Sequence, residues 1–324
     1  MHRRDLITLA GGAVMWPFAA QAQQSRRAWR LGYIGTGGLG DQLFEAFSQK
    51  LGALGYIQSK RIAINRINVT PDAKVIEIAI TSLLPEIDIL VIWGTLGAAT
   101  AKRLTSDTPT VFLSVGAPVD IGLVQSLSHP GGNMTGVTFE AATETYAKRL
   151  QMLKEIIPTC ERIAVLAAQG DPNVVFAMNS LERAAPTMNI ELIMVHIKTP
   201  NDLPAAFDQI ERAAVSGLIV IAGLFTSVNS RTIAELSLAH RIPSCHGFRE
   251  SVVAGGLISL GPDLFAMVRQ GAVFVDNIIR GARPADLPVE QPDRYEIYIN
   301  LKTASILGIE IPMPLLARAD KLID

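Results

Sequence analysis

The sequence predicts an α/β protein with two Rossmann-like lobes, each a parallel sheet covered by helices, joined by a three-segment hinge. Short apolar runs alternate with longer amphipathic runs along the chain, which is the pattern of repeated βαβ units. This organisation occurs twice, before and after about residue 140. Right-handed crossovers then place the loops that follow the strands at one edge of each sheet, where open α/β sheets bind ligands.

The first 22 residues predict an export signal. A basic start with Arg3-Arg4 is followed by the apolar run Leu6–Ala20 and by the small-x-small site Ala20-Gln21-Ala22. The apolar run is too short to span a bilayer, which takes about 20 residues. We expect cleavage after Ala22 and a periplasmic location. The twin arginines fit a twin-arginine leader or an ordinary basic one, so both export routes stay open.

Composition narrows the partners. Without the leader the chain has 302 residues, enough for two domains, and a net charge of −2. This charge offers no basic surface for nucleic acid or anionic membrane, so we expect a small-molecule ligand, protein partners and a monomer. Cys160 and Cys245 each begin a different apolar run, which favours two buried thiols over a disulfide.

The first half supplies five strands and four helices. The strands are predicted at Leu31–Gly35, Arg61–Ile67, Ile87–Trp93, Thr110–Val115 and Met134–Thr138, and the helices at about 41–54, 72–84, 96–105 and 120–128. Loops with glycine or polar residues follow the strands, at Thr36–Gly40, Gly94-Thr95, Gly116–Asp120 and Thr138–Glu140.

The second half repeats the design after a helix at Thr143–Ile157. Its strands are predicted at Arg162–Ala167, Glu191–His196, Gly217–Ala222 and Pro243–His246. The last 70 residues are too few for a third domain of similar size and complete the two lobes. We therefore assign residues 23–139 and about 257–285 to an N-terminal lobe, and 140–256 and about 286–324 to a C-terminal lobe. The crossings are expected near 138–141, 253–257 and 284–291.

A glycine motif at the end of the first strand suggests an alternative function. Gly35, Gly37 and Gly40 match G-x-G-x-x-G, the turn that holds a dinucleotide pyrophosphate at a helix N-terminus. Arg66, which closes the second strand, is a candidate ligand of a 2′-phosphate. The alternative is an exported NADP-binding oxidoreductase. Against it, no catalytic partner follows the motif, and the second half repeats the first.

Enzyme machinery is not visible in the sequence. There is no G-x-S-x-G, H-x-x-H, H-E-x-x-H or C-x-x-C, and the histidines are scattered. Only His246 is at a strand's carboxyl end in a position suited to a cleft, and it is equally consistent with a hydrogen-bonded histidine that orients its loop. We expect neither catalysis nor a cofactor or metal.

The candidate ligand-binding residues lie in the strand-end loops. Hydroxyl and glycine positions that could meet a ligand beside helix N-termini, or merely cap those helices, are Thr36, Gly37, Gly94, Thr95, Ser114, Gly116, Thr138 and Gly223. Phe139 and Phe248 are placed to sandwich a flat apolar ligand, or are core residues. Arg249 is expected to pair with a ligand carboxylate or, alternatively, with Glu250 or across the hinge.

Two acids are candidates for a ligand ammonium group. Asp120 and Asp171 follow strands, and Asp171 also precedes Pro172, so it fits the N-cap of the next helix. Together the candidates favour a small carboxylate-bearing ligand of the amino-acid or aromatic-acid type.

Several blocks of the sequence resemble one protein family. They are FSQKLGALGY at 47–56, PVDIGLVQSLSHPGGNMTG at 118–136, KRLQMLKEIIP at 148–158, and the run from LGPDLFAMVRQGAVFVDNIIRG to INLKTASILGIEIPMPLLARAD. They are similar to the periplasmic substrate-binding proteins of ABC transporters, in the subfamily with tryptophan- and phenylalanine-binding members. Two cleft loops, Gly116–Val119 and Gln169–Pro172, depart from the common pattern of that family.

The resemblance implies a periplasmic binding protein type I fold, a ligand held between the lobes, closure about the hinge, and delivery to a membrane permease with its ATPase. It does not imply a particular ligand. A third possibility is a ligand-sensing or scaffold protein of the same fold, which would differ in giving no thermal shift with any metabolite.

Overall fold

The computed structural model describes residues 28–57, 61–140 and 144–324, and it contains the two predicted α/β lobes. The predicted leader lies outside the described residues. The first sheet has the order β2-β1-β3-β4-β5 and is parallel throughout. Its strands are β1 (Trp29–Gly35), β2 (Ile62–Asn68), β3 (Ile89–Trp93), β4 (Thr110–Gly116) and β5 (Met134–Glu140), with helices α1 (Leu39–Ala53), α2 (Ala73–Leu83) and α3 (Thr95–Leu104) between them.

The second sheet has seven strands in the order β12-β11-β10-β9-β8-β6-β7, and only β10 and β11 pair antiparallel. The strands are β6 (Arg162–Ala168), β7 (Glu191–Ile197), β8 (Gly217–Val220), β9 (Ser244–His246), β10 (Ile258–Gly261), β11 (Glu296–Asn300) and β12 (Lys321–Ile323). The remaining helices are α4 (Glu144–Ile156), α5 (Asn173–Ala184), α6 (Leu203–Arg212), α7 (Leu224–Val228), α8 (Ser230–Ala239), α9 (Arg249–Val253), α10 (Leu264–Ile279), α11 (Leu301–Leu307) and α12 (Met313–Leu316). Short 3-10 turns lie at Leu84–Glu86, Ala185–Met188, Pro200–Asp202 and Pro284–Asp286.

The inner strands are apolar along their whole length because helices cover both faces of each sheet. Every residue of β3 and β4 is buried, whereas the edge strand β2 is largely open. One hydrophobic cluster fills the first lobe, and two clusters lie on the two faces of the second sheet. The runs that predicted the strands are therefore those that form the centre of each sheet.

The predicted helix at 120–128 is wrong. After β4 the chain makes successive turns, in which Gly122 N–H donates to Val119 O and Leu123 N–H to Pro118 O. Gly122 has a φ of 73°, which ends any right-handed helical path at that residue. The segment packs as a turn structure under the first sheet's edge, with Leu123 and Val124 buried.

The predicted second crossing, near 253–257, is also misplaced. Strand β10 pairs with β9 and β11, so it belongs to the second lobe and not to the first. The chain crosses only after Gly261. Helix α10 then packs on the first lobe, where Gly271 lies against Leu113 and Tyr56 donates to Asp276 at 2.7 Å. The helix was assigned to its lobe correctly, and the strand before it was not.

The other two crossings flank β5. The first lies between Glu140 and Glu144. The third lies later than 286, because Glu290 still pairs with β5: Thr138 N–H donates to Glu290 O and Glu290 N–H to Gly136 O, both at 3.0 Å. Beyond it, the Tyr295 hydroxyl donates to Phe139 O at 2.9 Å. All three connecting segments therefore run close to one another.

Both cysteines are free and buried, as the sequence favoured. Burial raises the pKa of Cys245 to about 12, so this thiol is inert at neutral pH. Over the residues that are described, none of the helices combines the length and the apolar character that crossing a membrane requires.

Candidate functional site

The carboxyl edges of the two sheets face each other and touch. A Cβ placed on Gly94 of the first lobe would lie 3.5 Å from Leu224 Cβ of the second. On Gly116 it would lie only 2.2 Å from Asn173 Oδ1. Ala222, Leu224 and Phe248 of the second lobe are part of the hydrophobic cluster of the first. The lobes are therefore in a closed arrangement, with the predicted loops at their interface.

Asp171 is a buried carboxylate in this interface. It is 7% exposed, and its Oδ1 accepts from Asn173 N–H at 3.0 Å, which is the predicted capping bond. Its Oδ2 lies against Gly223, where a Cβ would be 2.4 Å away. Burial raises the pKa of Asp171 to about 6. Across the described parts of the chain no cationic side chain pairs with it, so its charge is held by hydrogen bonds alone.

A small cavity of about 270 Å³, including its mouth, opens beside this carboxylate between the lobes. The first lobe contributes Pro71 and Leu96 to it, and the second contributes Ala168, Gln169, Asp171, Ile197, Lys198, Leu224 and Phe225. The lining is largely apolar, with an acid and the cation of Lys198 on it. Such a combination of apolar walls and few polar groups is typical of small-molecule sites.

Behind Asp171 a set of buried hydrogen bonds fixes the start of α5. The Tyr146 hydroxyl accepts from Asn173 Nδ2 at 3.1 Å and from Ala222 N–H at 3.2 Å. Asn173 Nδ2 also donates to Ala222 O at 2.8 Å. Asn173 Oδ1 is buried and has no hydrogen-bond partner within the described segments. The second lobe therefore offers a rigid polar surface to the first.

Several predicted site residues meet at this interface. Thr95 Oγ1 accepts from Gly116 N–H at 3.0 Å, which ties the loops after β3 and β4 together. Gly94 and Gly223 lie where the facing loops approach most closely, and Phe139 packs against Gly116. Contact of these residues with a ligand stays a prediction, and their shared location is what the structure adds.

The two phenylalanines do not form a sandwich. The Phe139 and Phe248 ring centroids are 5.4 Å apart at an interplanar angle of 72°, so the rings contact each other edge to face. Both side chains are buried. No flat ligand fits between them in the closed arrangement, and they form one continuous wall across the lobe interface.

The loop after β1 is occupied by its own helix. Asp41 accepts from Gly38 N–H at 2.7 Å and pairs with Arg66, which also donates to Thr36 O at 3.0 Å. Gly37 is exposed, and Thr36 Oγ1 lies against Gly40. The carboxylate of Asp41 therefore lies at the α1 N-terminus, where a pyrophosphate would have to bind, and Arg66 is already paired.

Two other predicted hydroxyls have internal roles. Thr138 Oγ1 donates to Val115 O at 2.6 Å and accepts from Glu140 N–H at 3.2 Å, so it joins β5 to β4. Ser114 has a φ of 56° and lies where the register of β4 against β5 shifts. We infer that both shape the strand ends that carry the site.

His246 does not face the cleft. Its Nε2 is 2.9 Å from Ser244 Oγ and lies against Gly256. Side chains alternate along a strand, so Ser244 and His246 share one face of β9 while Cys245 points to the other. Burial lowers the pKa of His246 to about 4, so the ring is neutral at physiological pH. The alternative of a hydrogen-bonded, loop-orienting histidine is what the structure supports.

Comparisons with known proteins decide the family. The family model described as ABC transporter substrate binding protein matches residues 40–323, which is most of the chain. The chain belongs to this family. The suspected family and fold are thereby confirmed, and the NADP-dependent oxidoreductase alternative is wrong, since the family is a non-enzymatic transporter component.

Individual relatives are distant. A "Tyrosine-binding protein" from Clostridioides difficile is 25% identical over 271 residues, covering 83% of this chain and 77% of its own. A crystal structure from Streptococcus pneumoniae in complex with L-Trp has a TM-score of 0.84 at 21% identity, covering 92% of this chain and 100% of its own. A ligand-free, open substrate binding protein from Clostridium difficile has a TM-score of 0.64 at 20% identity, covering 91% and 99%.

Arg249 of this substrate-binding protein is committed to the hinge. Its Nη2 lies 2.8 Å from Asp263 Oδ1, its Nη1 3.1 Å from Glu296 Oε2, and its Nε 3.3 Å from Glu250 Oε1. The expected bond to a ligand carboxylate is therefore wrong for this arrangement, because three carboxylates already surround the guanidinium. The alternative of a salt bridge to Glu250 and across the hinge segment is observed.

We expect Arg249→Ala to destabilise the protein by about 2 kcal/mol without changing its ligand preference, because partly buried carboxylates lose their counter-charge. Urea unfolding and ligand titration measure the two effects. Arg269→Ala is the control, since Arg269 is half exposed and 3.9 Å from Asp263. A selective loss of carboxylate ligands in Arg249→Ala would contradict this account.

Closure can be tested at Gly116. A Cβ there would meet Asn173 Oδ1 at 2.2 Å and Phe139 Cζ at 3.0 Å. We expect Gly116→Ala to hold the lobes apart, so that ligand affinity falls about tenfold or more while each lobe stays folded. Small-angle scattering with and without ligand measures closure. Gly52→Ala is the matched control, because a Cβ at Gly52 meets nothing within 4 Å. Unchanged compaction in Gly116→Ala would refute the contact.

Sequence reasoning missed the polar groups contributed by helices and by a later strand-end loop. Tyr146 and Arg149 lie in the predicted helix at 143–157, Asn173 begins α5, and Lys198 follows β7. A signal was available for Arg149, because it stands on the apolar face of its helix one position before the buried Leu150. Nothing in the sequence distinguished Asn173 from an ordinary first-turn residue.

One surface group also escaped prediction. Asp208 and Glu211 of α6 come together with His240, their ligand atoms within 4.8 Å of one another. His240 Nδ1 lies 2.8 Å from Glu211 Oε2, so the imidazole is engaged by that carboxylate, and both acids are exposed.

Proposed function

We propose that this protein captures a small amino acid with an aromatic or other bulky apolar side chain and delivers it to an ABC importer. The observation that carries the proposal is Asp171, a buried carboxylate at the lobe interface with no cationic partner in the described chain. An isolated buried charge is costly, and a charge that lines a binding cavity acquires its partner when the ligand enters. A primary ammonium group supplies that partner.

The cavity beside Asp171 suits the rest of such a ligand. Leu96, Leu224 and Phe225 supply an apolar wall from both lobes, which an aromatic side chain would cover on closure. Lys198 lines the same cavity and takes the role first given to Arg249, as the cation for a ligand carboxylate. The two opposite charges match a zwitterion better than a simple acid or a simple amine.

The names of the relatives support this ligand class. One distant relative is named for tyrosine, and one neighbour in structure was solved with L-Trp. At 25% and 21% identity they do not fix the ligand of this chain. They make aromatic amino acids the first compounds to test.

Closure completes the proposed cycle. Ligand contacts to both lobes stabilise the closed form relative to an open one, so ligand binding and closure are the same equilibrium. The closed form then meets an inner-membrane permease. We infer a monomeric periplasmic protein from which the leader is removed after Ala22, in keeping with the extracytoplasmic role of the family.

A thermal-shift screen of amino acids, aromatic acids and branched acids tests the proposal. A ligand at 100 times its dissociation constant stabilises the protein by about 2.7 kcal/mol, which is readily detected. We expect the largest shift with an aromatic amino acid. Shifts limited to acids that lack an amino group would contradict the proposal, and no shift with any compound would favour the sensing or scaffold function.

A further inference from the structure

A buried arginine lies where the connections between the lobes converge. Arg149 of α4 is fully buried, and its Nε and Nη2 donate to Leu260 O at 3.0 and 2.9 Å. Leu260 belongs to β10, the last strand before the second crossing. The Nη1 atom lies 3.4 Å from Oε2 of Glu140, the last residue of β5 before the first crossing. One guanidinium therefore links the end strand of the first lobe to the core of the second.

Contacts run without a gap from this arginine to the cleft. The Arg149 guanidinium lies over the Tyr146 ring, with Cζ 4.4 Å from the ring centroid. The Tyr146 hydroxyl accepts from Asn173 Nδ2, and the backbone N–H of Asn173 donates to Asp171. A change in the position of α4 at the hinge therefore reaches the carboxylate to which we assign the ligand ammonium.

We propose that Glu140 and Arg149 are positioning residues for ligand capture: their buried pair holds the hinge closed and, through Tyr146 and Asn173, places Asp171 for the ligand. The proposal rests on the proposed closure about the hinge, and it adds two residues that do not touch the cavity. Since Glu140 belongs to the strand of one lobe and Arg149 to a helix of the other, rotation of the lobes must change the distance between them.

The pair is balanced rather than strongly favourable. Both side chains are completely buried, and 3.4 Å is long for a charge-assisted hydrogen bond. Glu140 Oε1 is buried and has no hydrogen-bond partner within the described residues. Burial of two ions costs free energy that their attraction only partly returns. Opening would hydrate both groups, so the closed and open forms lie close enough in free energy for a ligand to choose between them.

The charge state of Glu140 follows from its surroundings. Burial raises the pKa of Glu140 to about 7, although the Arg149 charge opposes the shift. The groups that face the pair stay neutral near that pH: the pKa of Tyr146 and of Tyr295 is raised, that of Cys245 is raised to about 12, and that of His246 is lowered to about 4. Protonation of Glu140 leaves Arg149 without its counter-charge, so the closed population should fall as the pH drops below about 7.

The test is the lobe distance in the ligand-free protein, read by fluorescence transfer between dyes at Ser106→Cys and Arg212→Cys. Both positions are exposed, and the native cysteines are buried. We expect Glu140→Gln to shift the distances towards open and to flatten their pH profile. Affinity for L-tryptophan and for L-tyrosine should fall by the same factor, about tenfold, since a positioning residue acts on closure and not on one ligand group.

Glu290→Gln is the matched control, because this exposed carboxylate lies at the third crossing and bonds only Gln270. It should leave the distances and both affinities unchanged. Lobe distances in Glu140→Gln that equal the wild type at every pH would overturn the proposal. Should that variant fail to fold, the pH profile of Asp171→Asn decides, because a profile that is flat with Glu140 intact would also overturn it. The distances need no ligand, so failure to bind any amino acid would sink only the proposed function.

Discussion

Asp171→Asn is expected to abolish tight ligand binding and, at the same time, to make the ligand-free protein more stable. The amide keeps an acceptor for Asn173 N–H but removes the charge that an ammonium group pairs with, which costs about 100-fold or more in affinity. The charge itself is a burden in the empty cleft: a pKa raised from 3.8 to about 6 corresponds to about 3 kcal/mol at neutral pH. Calorimetric titration and urea unfolding measure the two effects.

The pH dependence of this result has a definite sign. Because the folded-state pKa of Asp171 is raised, the stability contributed by this group is present at low pH and is lost as the pH rises through about 6. The stability gain of Asp171→Asn should therefore be small near pH 4 and full above about pH 7. Ligand affinity of the wild type should fall below pH 6, because the carboxyl must release its proton before it can pair with the ammonium group.

Asp120→Asn is the control for Asp171→Asn. Asp120 was the other acid proposed for a ligand ammonium, but it is exposed on the turn after β4. Its replacement should change neither affinity nor stability appreciably. Equal losses of affinity in the two variants, or a destabilised Asp171→Asn protein, would count against the assignment.

Gly261→Ala is expected to have the largest effect on folding. A Cβ at this position would lie 1.6 Å from Gly247 O and 2.8 Å from the carbonyl carbon of the same residue. Both atoms belong to the backbone, so no side-chain rotation relieves the overlap, and β10 must move away from the loop after β9. We expect a loss of about 3 to 5 kcal/mol in urea unfolding, or no folded protein.

Gly37→Ala is the comparison. A Cβ there meets only Asp41 Oδ2, at 3.8 Å, so this glycine of the G-x-G-x-x-G motif should accept a side chain with little cost. A Gly261→Ala protein within 1 kcal/mol of the wild type would show that the two backbones can separate freely and would weaken the described hinge geometry. The glycine that the sequence motif emphasises is thus the less demanding one.

The fold followed from the sequence because its determinants are local. Runs such as Ile89–Trp93 are buried on both faces and read directly as inner strands. The lobe of β10 did not follow, because a four-residue apolar strand pairs equally well with either sheet, and its partners β9 and β11 decide the matter. Likewise, the amphipathic pattern at 120–128 satisfied a helix until Gly122 adopted a positive φ.

The candidate site followed only in part, for a similar reason. Strand ends identified the loops that meet at the interface, among them those of Gly94, Gly116 and Asp171. The direction of a side chain depends on strand phase and on tertiary partners: His246 is on the outer face of β9, and Arg249 found three carboxylates, one of them 47 residues away. Asn173 gains its importance only from Tyr146, which lies 27 residues earlier.

The central claim is that the cleft binds a zwitterion through Asp171, and calorimetric titration of three matched compounds tests it most directly. L-Tryptophan carries both charges, indole-3-propionate lacks the ammonium group, and tryptamine lacks the carboxylate; the corresponding tyrosine series serves equally. The account predicts that the intact amino acid binds most tightly, that loss of the ammonium costs the most, and that Asp171→Asn removes the difference between the amino acid and its deaminated analogue. Binding of the deaminated acid as tight as that of the amino acid would contradict it.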